Sequence, residues 1–362
     1  MRAFKKFISV LTAGLLAATA VSATSASAAV IVSDDMFEYT YSNGAWQLYS
    51  YIGGETELTL PESYGGAPVN GICSECFSGS GVTDVVIPDS YASIGNYAFY
   101  RCENLRSVTL PGTVAQIGMG AFAESGVTQM DLSDLNLDYI SSYLFMRCHS
   151  LQSVLLPDTV TAVGEAAFAD SALTAIDVPE SVSVLGKSAF ADTESLKSVV
   201  LHTGLTEIGE SCFENSALEQ IDLPEGLETI GASAFRSDTA LSELYVPLSV
   251  YEIGAYAFFP MSVQRSIEVT CFKNSYADTY CYENFVLNTV TVEHILGDAN
   301  LDGVVNVRDV TAIQRHCSQI STFSRPAMVN ANVSGDSDVS INDVTLIQRV
   351  LAEFDDAAFM NS

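Results

Sequence analysis

Basic residues are scarce in this chain: 15 Lys and Arg stand against 44 Asp and Glu, a formal net charge of −29 over 362 residues. So acidic a surface repels phosphate backbones and anionic headgroups, which argues against nucleic-acid binding and peripheral membrane attachment. Beyond residue 28 there is no uninterrupted apolar run of about 18 residues or more, so no segment is suited to cross a bilayer as a helix. Histidine is limited to His149, His202, His294 and His316, spread too widely to form a catalytic or metal-binding constellation. Tryptophan occurs once, at Trp46, which leaves few flat aromatic surfaces on which sugar rings could stack.

What is present begins with a leader. Arg2, Lys5 and Lys6 precede an apolar run from Phe7 to Val21, and Ala26-Ser27-Ala28 offers small residues for cleavage, so residues 1–28 read as a secretory signal and export is expected. The final AEFDDAAFMNS carries neither an apolar anchor nor a sorting sequence, so any retention outside the cell is expected to be non-covalent.

Internal repetition is the strongest signal. Aligned on Ile-Gly-x-x-Ala-Phe, the chain gives ICSECF (72–77), IGNYAF (94–99), IGMGAF (117–122), ISSYLF (140–145), VGEAAF (163–168), LGKSAF (185–190), IGESCF (208–213), IGASAF (230–235) and IGAYAF (253–258), nine copies every 22 or 23 residues. Between them recurs L-x-x-V-x-L-P, as in LRSVTLP (105–111) and LQSVLLP (151–157), whose period-two alternation of β-formers ended by proline is a short strand. Each unit is therefore one coil with a strand, a turn at the proline, a second turn at Ile-Gly and an inward Phe. A single coil cannot bury its own apolar face, so stacking supplies the core. The nine Phe residues from Phe77 to Phe258 are expected to form its spine, each burial contributing roughly 1.5–3 kcal/mol.

These motifs resemble the bacterial leucine-rich repeats of the BspA-like family over about residues 70–285. The resemblance implies a β-rich solenoid of about nine coils, with FEYTYSNGAW and the residues after it (37–72) as amino-terminal capping strands and NSYADTYCYENF (274–285) as a closing element. Outward strand positions such as Thr83, Arg106, Gln129, Glu219 and Tyr245 make a polar, mixed-charge surface that fits protein recognition better than polysaccharide stacking. A packed solenoid is also expected to lack a cleft large enough to seat a pair of catalytic carboxylates.

A second grammar occupies the end of the chain. GDANLDGVVNVRDVTAIQR (297–315) places Asp298, Asn300, Asp302, the Val304 carbonyl, Asn306 and Asp309 at loop positions 1, 3, 5, 7, 9 and 12 of an EF-hand-type calcium loop, with Gly303 at the sharp turn of position 6. Asp309 stands where Glu is usual, and no helix of ordinary EF-hand length precedes the loop. Superposing DVT-x-IQR on its second occurrence, 34 residues later, puts Asn332, Ser334, Asp336, the Asp338 carbonyl, Ser340 and Asp343 at the same six positions. This second loop has fewer carboxylates and Ser337 at position 6, where a positive φ costs a non-Gly residue on the order of 1 kcal/mol, so it is expected to bind calcium more weakly. The paired half-motifs resemble the type I dockerin of cellulosomes, a small all-α calcium-binding module with two EF-hand-like loop–helix motifs. That resemblance implies two Ca2+ sites and a cohesin partner, contacted through Val307, Arg308, Gln314 and Arg315 in the first copy and Ile341, Asn342, Gln348 and Arg349 in the second.

The eight cysteines invite a disulfide reading in an exported protein. Cys102 and Cys148 share a repeat column two coils apart, about 10 Å at a strand spacing of roughly 4.8 Å and beyond disulfide reach. Cys76 and Cys212 fill the small-residue column before Phe. Pairing of Cys73 with Cys76, or of Cys271 with Cys281, stays open, and the lone C-x-x-C has no matching ligand cluster for zinc.

The expected order is thus signal peptide (1–28), N-terminal β cap (29–70), solenoid (71–285), short linker (286–296), dockerin (297–354) and tail (355–362). The expected role is a secreted, non-catalytic accessory protein of a cellulosome-like complex, held outside the cell by the dockerin, with the solenoid as a protein- or substrate-recognition surface. A polysaccharide-degrading enzyme and a surface adhesin are the alternatives.

Overall fold

The computed structural model describes residues 31–259, 267–284, 286, 288–336 and 338–352. The signal peptide, Ser337 and the 355–362 tail lie outside the described residues. The chain divides into two compact units, one drawn from Met1–Ile221, Thr229–Leu241 and Gly254–Met261, the other from Asp222–Glu228, Ser242–Ile253 and Ser262–Ser362.

The first unit opens with antiparallel strands β1 (Ile31–Ser33), β2 (Phe37–Ser42) and β3 (Ala45–Tyr51), the last two joined by a turn at Asn43-Gly44, both at positive φ. Their inward residues Phe37, Tyr39 and Leu48 are buried, so the hairpin closes the apolar end of the first coil as a cap must. After β4 (Glu57–Thr59) and β5 (Ser63–Tyr64), strand β6 (Ala67–Ile72) pairs in parallel with β3 and starts the regular coils.

Each coil of this unit then contributes to parallel ladders. One ladder joins the L-x-x-V-x-L-P strands, beginning with β4, β7 (Asp84–Val86), and, after β8 (Ser93–Ile94), β9 (Ser107–Thr109). The other joins two-residue strands that end on the Ile of Ile-Gly: β6, β8 and β10 (Gln116–Ile117), and further along 162–163, 184–185, 207–208 and 229–230. Sequence reasoning placed only a turn at Ile-Gly. Two residues are too few to show a period, and the sign of the strand is the buried Ile next to a solvent-facing residue.

The glycine after that Ile is required by proximity. A Cβ on Gly95 would lie 2.5 Å from the backbone nitrogen of Ser74, and one on Gly118 2.5 Å from that of Asn96, in the preceding coil. Beyond it the chain turns through two left-handed residues placed two before and two after each Phe from Phe77 to Phe235, such as Tyr97 and Arg101 around Phe99. Main-chain bonds to the next coil hold them: Tyr97 N to Met119 O at 2.8 Å, Phe99 N to Ala121 O at 2.7 Å and Arg101 N to Ala123 O at 3.0 Å. The nine phenylalanines do stack in register, with neighbouring ring centroids 4.8–6.2 Å apart and planes within 26° of parallel.

One expectation fails in this unit. An open cleft of about 790 Å³ lies against the short-strand ladder, where β3 of the cap extends that ladder past the first coil.

The second unit holds a parallel sheet of Glu243–Tyr245, Glu268–Phe272 and Thr289–Val292, with the closing helix α1 (Tyr276–Glu283) capped by Ser275. Residues read as linker therefore include a strand. Cys271 and Cys281 are buried here and their thiols share a hydrogen bond, which together with burial holds Cys271 protonated well above the usual thiol range. All eight cysteines are free thiols. Helices α2 (Val307–Cys317), α3 (Arg325–Ala331) and α4 (Ile341–Leu351) follow, packed around Ala299, Val310, Ile313, Ala331, Val333, Val344 and Ile347.

Candidate docking and calcium site

In the first loop the six positions read from the sequence wrap one another. Asp298, 1 % exposed, accepts the amides of Asp302 (3.1 Å) and Gly303 (2.9 Å) through its two carboxylate oxygens. Asn300 accepts the Asp302 amide at 2.8 Å, Asp302 accepts that of Val304 at 3.1 Å, and the Val304 carbonyl accepts the side-chain amide of Asn306 at 2.9 Å. Asp309, fully buried at position 12, accepts Asn300 N at 3.1 Å and Asn306 N at 2.8 Å, so it closes the loop on itself. Burial pushes the Asp309 carboxyl up, opposed by those two backbone bonds and reinforced by the nearby Asp298 and Asp302.

The same residues start α2. Asn306 accepts from the Arg308 amide and, with Asp309, completes a capping box, so one pair of side chains both shapes the loop and satisfies the helix's first orphan amides. Ser340 and Asp343 repeat this at α4, where buried Asp343 accepts Ser334 N at 2.8 Å and Ser340 N at 2.7 Å.

The second loop departs from the first at its entry. Asn332 accepts from Gly335 N at 3.0 Å but turns its side-chain amide onto the Asp336 carbonyl, so a donor faces the loop where Asp298 offers a second acceptor. The glycine has also moved. Position 4 is left-handed in both loops, and it is Leu301 (φ 60°) in the first and Gly335 (φ 70°) in the second, whereas the first keeps its glycine, Gly303 (φ 83°), at position 6.

All the donors read from the sequence are oxygens, as a hard cation of calcium's size prefers, and the first loop supplies three carboxylates among them. Among the described residues, however, no three His, Cys, Asp or Glu side chains converge at metal-holding range; the carboxylates are turned onto backbone amides. Each carboxylate retains lone pairs beyond those bonds, so the donor set fits calcium.

The residues expected to meet a partner lie on the surface. Val307 and Ile341 are 69 % and 61 % exposed, and Arg308, Gln314, Arg315, Asn342, Gln348 and Arg349 are exposed as well. Two bare aliphatic side chains thus stand at equivalent helix starts, flanked by polar and cationic groups. Sequence reasoning missed α3, which carries Asn330: its carbonyl accepts Gly297 N at 2.7 Å and its side-chain amide donates to Glu293 O at 3.1 Å, anchoring the entry to the first loop. The signal was Ser324-Arg325-Pro326, a capping residue followed by proline in the first turn.

The model of the BspA type leucine rich repeat region matches residues 70–193 and 161–289, with six copies, and that of the dockerin type I domain matches 296–352. The chain belongs to the BspA type leucine rich repeat family. Its helical region is a dockerin type I domain. Solved structures similar in the solenoid include a leucine rich cell surface protein of Faecalibacterium prausnitzii (21 % identity, 66 % of this chain and 97 % of that one, TM-score 0.35) and a leucine-rich repeat protein of Bacteroides ovatus (20 %, 72 % and 99 %, TM-score 0.31). The pneumococcal vaccine antigen PcpA is similar at 13 % identity over 73 % of this chain and 97 % of its own, TM-score 0.38. No curated protein matches the chain.

Proposed function

We propose that this is an exported, non-catalytic accessory protein that joins a cellulosome-like polysaccharide-degrading complex when its dockerin (297–354) binds a cohesin module in the presence of calcium. The observation that carries this reading is the pair of loop–helix motifs, each with its capping box, presenting Val307 and Ile341 to solvent. Calcium would be held by Asp298, Asn300, Asp302, the Val304 carbonyl, Asn306 and Asp309, and more weakly by the second set from Asn332 to Asp343. Binding of the ions would order the loops, and α2 and α4 would then present fixed faces to the partner. The solenoid (71–285), capped by 29–70, supplies a recognition surface to the assembled complex.

The test is a binding titration of the full mature chain against cohesin modules in calcium and in chelator. Tight binding in calcium and loss of it in chelator are expected, with Val307→Asp and Ile341→Asp each weakening one orientation and the double variant abolishing binding. A helical, calcium-loaded chain that binds no cohesin would overturn the reading.

A further inference from the structure

The cleft over the cap and first coils is a site that the docking role leaves unused. Its floor is one register line across five strands: Thr40 pairs with Gln47, Gln47 with Gly71, Gly71 with Ser93 and Ser93 with Gln116. Tyr139 occupies the corresponding position before Ile140 in the following coil and stands 61 % exposed, while Tyr49, two residues from Gln47 on the same strand, stands 44 % exposed at the other end.

Gly71 has a specific part in this floor. It is buried, and a Cβ there would lie 2.8 Å from Ser93 Oγ and 3.5 Å from Gln47 Nε2, so the glycine leaves room for the Ser93 hydroxyl and the Gln47 amide to close together over the strand. Gln47 is held in place there, since its Oε1 accepts from the Cys73 thiol at 3.5 Å. On the rim, Asn96 spends its Oδ1 on the Met119 amide at 2.9 Å, which leaves its NH2 as a donor to the cleft.

The lining contains no Lys or Arg and a single carboxylate, Asp138. An acidic peptide or phosphate group would find no counter-charge, and a basic one would find only one. Amides and hydroxyls that can both donate and accept match sugar hydroxyls, and tyrosine rings at the two ends can cover the apolar faces of sugar rings. The volume, about 790 Å³, falls in the range of ligand clefts. We propose that this cleft binds a neutral oligosaccharide chain laid across the coils from Tyr49 to Tyr139. It lies on the ladder of short strands, not on the L-x-x-V-x-L-P face. It gives the solenoid's recognition role a substrate class, and rests on the proposed function only to that extent.

The test is calorimetric titration of the full mature chain with cellohexaose, xylohexaose and mannohexaose, each with calcium and again with chelator. Saturable binding of at least one of them is expected, unchanged by chelator and weakened ten-fold or more by Tyr139→Ala and by Gln47→Ala, which removes a lining amide; Tyr251→Ala, an exposed tyrosine outside the cleft, should leave it unchanged. Circular dichroism of each variant establishes that the coils are intact. No saturable binding of any of the three sugars, binding indifferent to both cleft variants, or binding lost on chelation would overturn the proposal. Cohesin binding is read separately, so its outcome does not decide this one.

Discussion

The third residue after each spine Phe from Phe77 to Phe235 is small and polar or a thiol: Ser80, Cys102, Ser125, Cys148, Ser171, Thr193, Ser216 and Asp238. Most of this column is buried, and its side chains bond along the stack. Cys102 and Cys148 donate to the carbonyls of Phe77 (3.0 Å) and Phe122 (3.1 Å) in the coil before, and Thr193 to that of Phe190 at 2.6 Å. The cysteines at 102 and 148 are therefore hydrogen-bonding column members, which is why neither needs a disulfide partner. Asp238 is the one carboxyl among them. Ser216 donates to it at 2.9 Å, but burial outweighs that bond and raises it from 3.8 to about 7. Below about pH 4 the group is protonated in folded and unfolded chains alike and costs nothing. Between about 4 and about 7 the unfolded chain releases its proton while the folded chain keeps it, so stability falls as pH rises through that window, by up to about 1.4 kcal/mol per unit, and levels off above it. Asp238→Asn removes the titration, so urea denaturation at pH 5 and pH 8 should show the variant gaining stability over the parent at pH 8 and much less at pH 5. Equal differences at the two values would refute this assignment.

A coil is a compromise between strained turns and stacked bonds, and both sides are visible. Two left-handed residues per coil cost roughly 1–2 kcal/mol each when they are not glycine, and the stacked Phe column together with the inter-coil amide bonds offsets that cost. Phe168 touches a ring on each side, at 5.6 and 5.3 Å, so Phe168→Ala should cost about 3–5 kcal/mol in urea denaturation of the solenoid, far more than an exposed truncation such as Tyr139→Ala. The period, the Phe spine and the L-x-x-V-x-L-P strands were all legible in the sequence, because each repeats and so averages out local exceptions. The two-residue strands and α3 were not, since neither is long enough to carry a hydrophobic period; nor was the cleft, which depends on the cap strands continuing the ladder. In the helical region the two loop–helix motifs were legible from spacing alone, but the orientation of Asn332 was not. Its amide faces the Asp336 carbonyl, so a calcium ion there would first have to turn it. Asn332→Asp removes that donor and adds a charge, and should raise the second site's calcium affinity about ten-fold or more, narrowing the gap between two sites in a calorimetric titration. A variant with unchanged affinity would locate the weakness elsewhere in the loop.

At the scale of the whole molecule the two kinds of architecture draw on different sources of stability. The coils bury a long column of Phe, Ile, Leu and Val that grows with every repeat, whereas the dockerin centres on seven buried residues, of which the three outside α2 and α4, Ala299, Ala331 and Val333, are no larger than valine. A core that small contributes only a few kcal/mol, and the loops that position it carry buried carboxylates, Asp298, Asp309 and Asp343, whose charge a divalent cation would balance. Metal binding to the loops would then be coupled to folding of the helices, and affinity would appear as stability. Chelation should therefore melt α2 to α4 while leaving the coils folded: hydrogen exchange in chelator should speed across residues 297–352 and stay slow at the amides of the spine phenylalanines. Restoring calcium should recover protection in the first loop at a lower concentration than in the second. Protection that collapses in the coils as well would mean that the repeat stack depends on the calcium module for its own stability, against the separate cores seen here.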